Sequence, residues 1–215
     1  PDFIQVDCKG HPGFSSYPTK ASIPARGFVK DPLHIFRKVT AAHNVALYVH
    51  YSGVYDIEAV RQHPEWAVIQ ADGKPDAEKT SVHGDYVYKL LIPQLKELSS
   101  TYSLDGVWVD GDCWATKPDY SEASMQKFKK ATGVTALPKP GDTGYFDFME
   151  FSRKSFLEYV QTYVDSLQKF NPAFQVASNW AYSSLMPLPV NIGVDFLSGD
   201  LSPTNSVYNA AFEAR

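Results

Sequence analysis

GVWVD, at Gly106–Asp110, is the stretch of sequence that decides the fold. Its nearly continuous apolar and β-branched character is typical of a parallel strand that is covered on both faces. Similar stretches, separated by helical patterns, predict four further strands at 3–7, 45–50, 175–179 and 194–198. This alternation of strands and helices predicts an α/β fold around a parallel sheet.

The segments between the strands carry helix signals. Asp31 followed by Pro32 is a typical helix start, and Gly133 is a typical helix end. Helices are therefore predicted from Pro32 onward, over 83–102 with a kink at Pro93, over 121–131, and over Tyr145–Phe170. The segment 50–79 is predicted to be a long connection with a short helix near 56–62 and a turn at Asp72-Gly73.

Two topologies fit this pattern, an open doubly wound sheet and a closed (β/α)8 TIM barrel. No glycine-rich phosphate fingerprint follows the first strand, because the residues at 9–13 do not open a helix, and the barrel is therefore preferred. A barrel needs eight strands and about 250 residues. We therefore expect residues 1–215 to form one incomplete catalytic domain of about five βα units, cut from a longer protein.

The composition argues against several classes of partner. The 20 basic and 24 acidic residues leave a net charge of −4, so we expect no binding to nucleic acid. No apolar run approaches the length of a membrane span, and we expect no membrane association. The two cysteines are too few for a disulfide framework, and the compartment is left open. Aromatic residues make up 14% of the chain and offer flat faces for sugar rings.

Polar and aromatic residues follow each predicted strand. The loops after barrel strands meet at one face and carry the active site, so these residues are expected to lie together. Carboxylates, imidazoles and indoles without a basic cluster suit a neutral polyhydroxylated ligand. The candidates for binding a carbohydrate substrate are Lys9, His11, Tyr17, His50, Tyr51, Asp112, Trp114, Asn179 and Trp180.

Glycoside hydrolysis uses two carboxyl groups, one ionised and one protonated. Asp110 suits the ionised role because it ends a central strand, where a rigid scaffold fixes its direction. Asp200, in the loop after the fifth predicted strand, is the first candidate for the acid/base, and Asp112 is the second. A position of the acid in strands beyond this chain also stays open.

Three motifs resemble those of the α-L-fucosidases of glycoside hydrolase family 29. The residues at 9–19 resemble the Lys-His-His-Asp-Gly-Phe motif, those at 45–52 the Gly-Leu-Tyr-Tyr-Ser strand, and those at 105–114 the strand that carries the nucleophile. His63-Pro64-Glu65-Trp66 with Asp72-Gly73 is similar to fucosidases of family 151 and related hypothetical glycosyl hydrolases. Gly10 and Pro12 depart from the first motif, at positions that belong to its fucose contacts.

The resemblance implies a retaining, exo-acting α-L-fucosidase. In such an enzyme Asp110 would attack the anomeric carbon, and His11 would hydrogen-bond the sugar hydroxyls. A glycosidase of galactoside-type specificity stays open as an alternative. The competing class is a barrel that binds carbohydrate without catalysis.

Structural interpretations of the same residues also stay open. Asp-Gly pairs are common in turns, the indoles of Trp114 and Trp180 can pack in a core, and Asp200 can cap a turn. The sequence has no His-x-His or His-Glu-x-x-His spacing that would support a metal-dependent hydrolase. Neither Cys8 nor Cys113 has the flanking residues of a catalytic cysteine. We therefore predict no metal ion and no cofactor.

Overall fold

The computed structural model describes residues 1–180, 186 and 189–198. In chain order its strands and helices are β1 (Phe3–Lys9), α1 (Pro32–Ala42), β2 (Ala46–Ser52), α2 (Ile57–Gln62), β3 (Ala67–Ile69), β4 (Pro75–Thr80), α3 (Ile92–Thr101), β5 (Gly106–Asp110), α4 (Glu122–Thr132), α5 (Tyr145–Phe170) and β6 (Gln175–Ser178). Short helical turns at Pro64–Trp66, Val87–Leu91 and Asp112–Thr116 complete the described elements.

Four of the described strands form a parallel sheet in the order β1-β2-β5-β6. Helices connect successive strands of this sheet, as expected for parallel neighbours that need crossover connections. The prediction of an α/β fold with a parallel sheet is confirmed.

The two faces of the sheet differ in what covers them. Apolar side chains of β2, β5 and β6 pack against α1, α3 and α5 in one hydrophobic core. Side chains alternate along a strand, so the residues between them point to the opposite face. Register pairs Asp7 with His50 and His50 with Trp108, and Asp110 follows two residues later. We call this second face, defined by Asp7, His50, Trp108 and Asp110, the open face.

The helix boundaries follow the predicted signals. The Asp31 carboxylate accepts hydrogen bonds from two backbone amides in the first turn of α1, and the Ser121 hydroxyl accepts one, from the Ser124 amide, at the start of α4. Pro93 has no amide hydrogen to donate, and the turn before it widens into a π-helical turn at Val87–Leu91. Helix α5 spans the predicted residues. No helix in the described ranges has the length and hydrophobicity of a membrane span.

Two predictions about strands are wrong. The segment 194–198 runs beside β6 but forms only an isolated bridge from Ser198 to Asn179. The Asp195 amide donates to the Val176 carbonyl, and the Trp180 amide donates to the Ser198 carbonyl. The Val176 amide, however, donates to the Asp195 carboxylate at 2.7 Å, which interrupts the backbone ladder. The connection at 50–79 contains an antiparallel hairpin, β3–β4, that was not predicted, although its turn at Gly73 was.

Candidate active site

Asp110 is held at the end of β5 by three hydrogen-bond donors. His50 Nε2 lies 3.1 Å from Oδ2, and Asn179 Nδ2 lies 2.5 Å from Oδ1. The Gly111 amide also donates to Oδ1, at 2.6 Å. The donors come from β2, from the residue after β6 and from the backbone after β5, so the sheet itself fixes the direction of the carboxylate.

These contacts set the ionisation of Asp110. Burial favours its neutral form, but the three hydrogen bonds outweigh burial and lower the pKa of Asp110 to about 2. Its side chain is 17% exposed, which leaves a path for a ligand to reach it. Asp110 is therefore an ionised carboxylate at neutral pH, with fixed geometry and partial access.

His50 bridges two carboxylates of the open face. Its Nδ1 lies 2.5 Å from Asp7 Oδ1, and its Nε2 contacts Asp110. Burial lowers the pKa of His50, but the hydrogen bonds and charges of the two carboxylates outweigh burial, and the pKa lies above its usual value. The imidazolium form, in which both ring nitrogens donate, fits this arrangement.

His11 approaches Asp110 from the loop after β1. Its ring stacks on Tyr55 with centroids 4.5 Å apart, and its Nδ1 lies 2.6 Å from Ser52 Oγ. The Ser52 hydroxyl donates to the Tyr55 carbonyl, so His11 Nδ1 must be the donor toward Ser52. The other ring nitrogen, Nε2, lies 3.8 Å from Asp110 Oδ2.

Gly111 lets these groups approach one another. Its φ of 75° lies in the left-handed region, and a Cβ there would lie 3.3 Å from His11 Cε1 and 3.2 Å from Tyr55 Cβ. A side chain at this position would therefore combine backbone strain with crowding of the His11–Tyr55 stack. The site presents an ionised carboxylate beside two imidazoles and an amide, groups that can attack an electrophilic carbon and hydrogen-bond hydroxyl groups.

Comparison with known proteins shows the family of this chain. The family model for Alpha-L-fucosidase matches residues 2–185. The chain belongs to the α-L-fucosidase family. No curated protein matches the chain. The residues matched by the family model include β1, β2, β5 and β6, and with them Asp7, His11, His50, Asp110 and Asn179.

Solved structures of similar fold include glycosidases of two kinds. Alpha-L-fucosidase isoenzyme 2 from Paenibacillus thiaminolyticus is 18% identical, with a TM-score of 0.68 over 86% of this chain and 29% of that chain. The beta-galactosidase from Rahnella sp. R3 is 15% identical, with a TM-score of 0.66 over 94% of this chain and 35% of that chain. The beta-galactosidase from Marinomonas ef1 is 13% identical, with a TM-score of 0.68 over 96% of this chain and 37% of that chain. The fucosidase-family chain therefore shares their fold and spans less than two fifths of each.

Two predicted substrate-binding residues, Lys9 and Tyr51, lie on the helix side of the sheet. The register of β1 and β2 shifts between Asp7 and Lys9, so Lys9 pairs with Tyr51 and turns inward. Its ammonium forms a buried ion pair with Asp56 and lies 3.0 Å from the Tyr86 hydroxyl. Both predicted side chains are fully buried, and neither faces the open face.

Tyr17 and Asp112 are also enclosed. Tyr17 is buried and lies within hydrogen-bond distance of Glu97 and Gln94. Asp112 begins a helical turn after Gly111, which directs its carboxylate into the core, 2.8 Å from the Tyr163 hydroxyl. Burial raises the pKa of Asp112 to about 7, and its hydrogen bonds oppose that shift. Asp112 has the pKa of an acid catalyst, but its side chain is sealed from the open face.

The two predicted indole platforms have different surroundings. Trp114 is half-buried at the rim of a cleft, with the Lys117 ammonium 4.6 Å from its ring centroid. Trp180 packs against the core, 5.1 Å from Phe156 of α5. Asp200, the first candidate for the acid/base, lies outside the described residues.

Sequence reasoning left Asp7 and Ser52 out of the candidate set. Strict alternation along β1 and β2 was the available signal, because it places both on the same face as His50. The described part of the chain holds no group of three or more His, Cys, Asp or Glu side chains that could bind a metal ion.

Proposed function

We propose that the chain is part of a retaining, exo-acting α-L-fucosidase in which Asp110 is the nucleophile. The observation that carries this proposal is the placement of the ionised Asp110 carboxylate on the open face, fixed by His50, Asn179 and Gly111. Membership in the fucosidase family supports the choice of substrate class. In the complete protein, residues 1–215 would contribute their part of a closed (β/α)8 catalytic barrel.

The proposed reaction follows from the chemistry of Asp110. Its Oδ2 attacks the anomeric carbon, the bond from that carbon to the leaving oxygen breaks, and an acid donates its proton to that oxygen. The conjugate base of that acid then takes a proton from a water molecule, whose oxygen attacks the anomeric carbon; the bond to Asp110 breaks, and the carboxylate and the acid are restored with retention of configuration. Ionisation at neutral pH favours Asp110 for the first step, since a protonated carboxyl group is a poor nucleophile.

The remaining roles divide between the imidazoles and a second carboxyl group. His11 Nε2 faces Asp110 and is placed to form a hydrogen bond with a sugar hydroxyl. The second carboxyl group of a retaining enzyme stands about 5–5.5 Å from the nucleophile. Asp200 stays the candidate for this role, whereas the enclosure of Asp112 removes the second candidate.

The proposal is tested in the whole protein by Asp110→Asn, assayed with an aryl α-L-fucoside. Asn keeps the size and most hydrogen bonds of the carboxylate but cannot form the ester, so we expect kcat to fall by about a thousandfold or more. Asp165→Asn, on the exposed side of α5, is the control and should keep full activity. Full activity of Asp110→Asn would overturn the nucleophile assignment.

An aryl β-D-galactoside in the same assay tests the alternative specificity. Turnover of the galactoside and not of the fucoside would leave Asp110 as the nucleophile and replace the sugar. Binding of fucose without turnover of either substrate would support a carbohydrate-binding protein instead.

A further inference from the structure

His50 lies between two carboxylates that come from the strands on either side of it. Its Nδ1 is 2.5 Å from Asp7 Oδ1 on β1, and its Nε2 is 3.1 Å from Asp110 Oδ2 on β5. The sheet order β1-β2-β5 and the register that pairs Asp7 with His50 bring the three side chains together on the open face. The contacts are therefore built by three adjacent strands rather than by loops.

The two contacts fix how many protons the His50 ring carries. A carboxylate can only accept hydrogen bonds, so both ring nitrogens must donate, and the ring is an imidazolium. A neutral ring keeps one proton, and the shorter contact, with Asp7, favours keeping that proton on Nδ1. Nε2 would then turn a lone pair towards the Asp110 carboxylate. Loss of a proton from His50 therefore removes a hydrogen-bond donor from Asp110.

The carboxylates of Asp7 and Asp110 are the charges that favour the imidazolium. Burial lowers the pKa of His50, but the hydrogen bonds and charges of the two carboxylates raise it above its usual value. Tyr48, two residues earlier on the same face of β2, is a neutral phenol, since burial raises its pKa. His11, from the loop after β1, is a further titratable group, and its Nε2 lies 3.8 Å from Asp110 Oδ2. Asp7 therefore supplies part of the charge that holds the second proton on His50.

We propose that Asp7 is a positioning residue that keeps His50 doubly protonated, so that His50 Nε2 donates a hydrogen bond to Asp110. The catalytic consequence rests on the proposed function. In the second step a water oxygen attacks the anomeric carbon, its proton passes to the conjugate base of the acid, and the bond from that carbon to Asp110 Oδ2 breaks. The electron pair of that bond returns to the carboxylate, which a charged donor at His50 stabilises. Asp7 acts on this step through His50.

A histidine titration in the whole protein tests the contact itself. Asp7→Asn removes the charge of a side chain that is 61% exposed, so we expect the variant to fold. The ring nitrogen NMR signals of His50, assigned from their loss in His50→Gln, should titrate at lower pH in Asp7→Asn than in the wild type. Asp7→Glu keeps a carboxylate and should restore part of the difference. Asp2→Asn, which removes the same charge from the exposed residue before β1, is the matched control and should leave the titration unchanged.

The second step is measured by the recovery of activity after trapping. A 2-deoxy-2-fluoro fucosyl fluoride forms the glycosyl-enzyme, and the return of activity after removal of the reagent gives the rate of hydrolysis at each pH. The conjugate base of the acid becomes more abundant as the pH rises, so a loss of rate at alkaline pH reports the deprotonation of His50. We expect this loss to begin at lower pH in Asp7→Asn. Above neutral pH the rate should be about threefold to fivefold lower, as for an ion pair partly exposed to water, whereas Asp2→Asn should follow the wild type.

The two measurements separate failure of this inference from failure of the proposed function. The role of Asp7 is overturned if His50 titrates at the same pH in Asp7→Asn and in the wild type, or if their recovery rates coincide at every pH. If the reagent leaves Asp110 unlabelled while the His50 titration still moves in Asp7→Asn, the proposed function fails and the positioning of His50 by Asp7 stands.

Discussion

The chemistry of the site depends on the hydrogen bonds to a single carboxylate. The Asp110 carboxylate is partly buried at the end of β5, and burial alone would raise its pKa. The donors His50, Asn179 and Gly111 reverse that effect. Because the folded-state pKa is depressed, Asp110 contributes stability above its unfolded pKa near 3.8, and this contribution is lost as the pH falls towards 2.

Asn179→Ala is predicted to move the acid limb of activity. Loss of the donor at 2.5 Å raises the pKa of Asp110 from about 2 towards 3.8 and makes more of the carboxyl group neutral at pH 3–4. The profile of kcat/KM against pH, measured with an aryl α-L-fucoside, should fall at higher pH in the variant than in the wild type. Asn171→Ala, at the end of α5, is the control. An acid limb that stays in place would contradict the role of Asn179.

At the residue scale, the sequence predicted which candidate residues lie near a strand end. It predicted only partly which side of the sheet each side chain faces. Asp110 and His50 lie on the open face because alternation continues to the end of their strands. The predicted substrate-binding position of Lys9 is wrong because a register shift in β1 turns the side chain inward, and that of Asp112 because the left-handed Gly111 begins a helical turn. The register shift has no signal in the residue pattern, whereas the Asp110-Gly111 pair signals a turn but not the direction of the side chain that follows it.

At the element scale, helices were easier to predict than the short strands. Capping residues and a long apolar period marked α1, α4 and α5. Strand β4, with the sequence PDAEKT, has no apolar alternation. It pairs with the neighbouring β3, and a bond distant in sequence, from the Thr80 amide to the Val54 carbonyl at 2.8 Å, holds its end. Such pairings cannot be seen in a local window of sequence.

Two glycines that follow structural elements give a matched prediction. Gly111 and Gly133 have φ of 75° and 78°, so Ala at either position costs about 1 kcal/mol of backbone strain. A Cβ at Gly111 would crowd His11, whereas a Cβ at Gly133 would meet nothing within 4 Å. We expect both variants to lose thermal stability through backbone strain, Gly111→Ala more because of the crowding, and a loss of kcat/KM only in Gly111→Ala. Equal activities would contradict the positioning role of Gly111.

At the scale of the whole molecule, the sheet separates two polar systems. The open face carries Asp7, His50 and Asp110, whereas the helix side contains the buried Lys9–Asp56 ion pair. The order of residues predicted abundant polar and aromatic side chains near the strand ends. It could not predict which of them lie on the open face and which lie on the helix side. That division depends on packing against the helices, which exists only in the folded chain.

The most direct test of the central claim is covalent trapping of the nucleophile in the whole protein. A 2-deoxy-2-fluoro fucosyl fluoride slows both steps of a retaining mechanism but keeps a good leaving group, so the glycosyl-enzyme should accumulate. Peptide mass spectrometry should then locate one fluorofucosyl ester on Asp110. An ester on any other side chain, or inactivation by the reagent without a modified Asp110, would contradict the account.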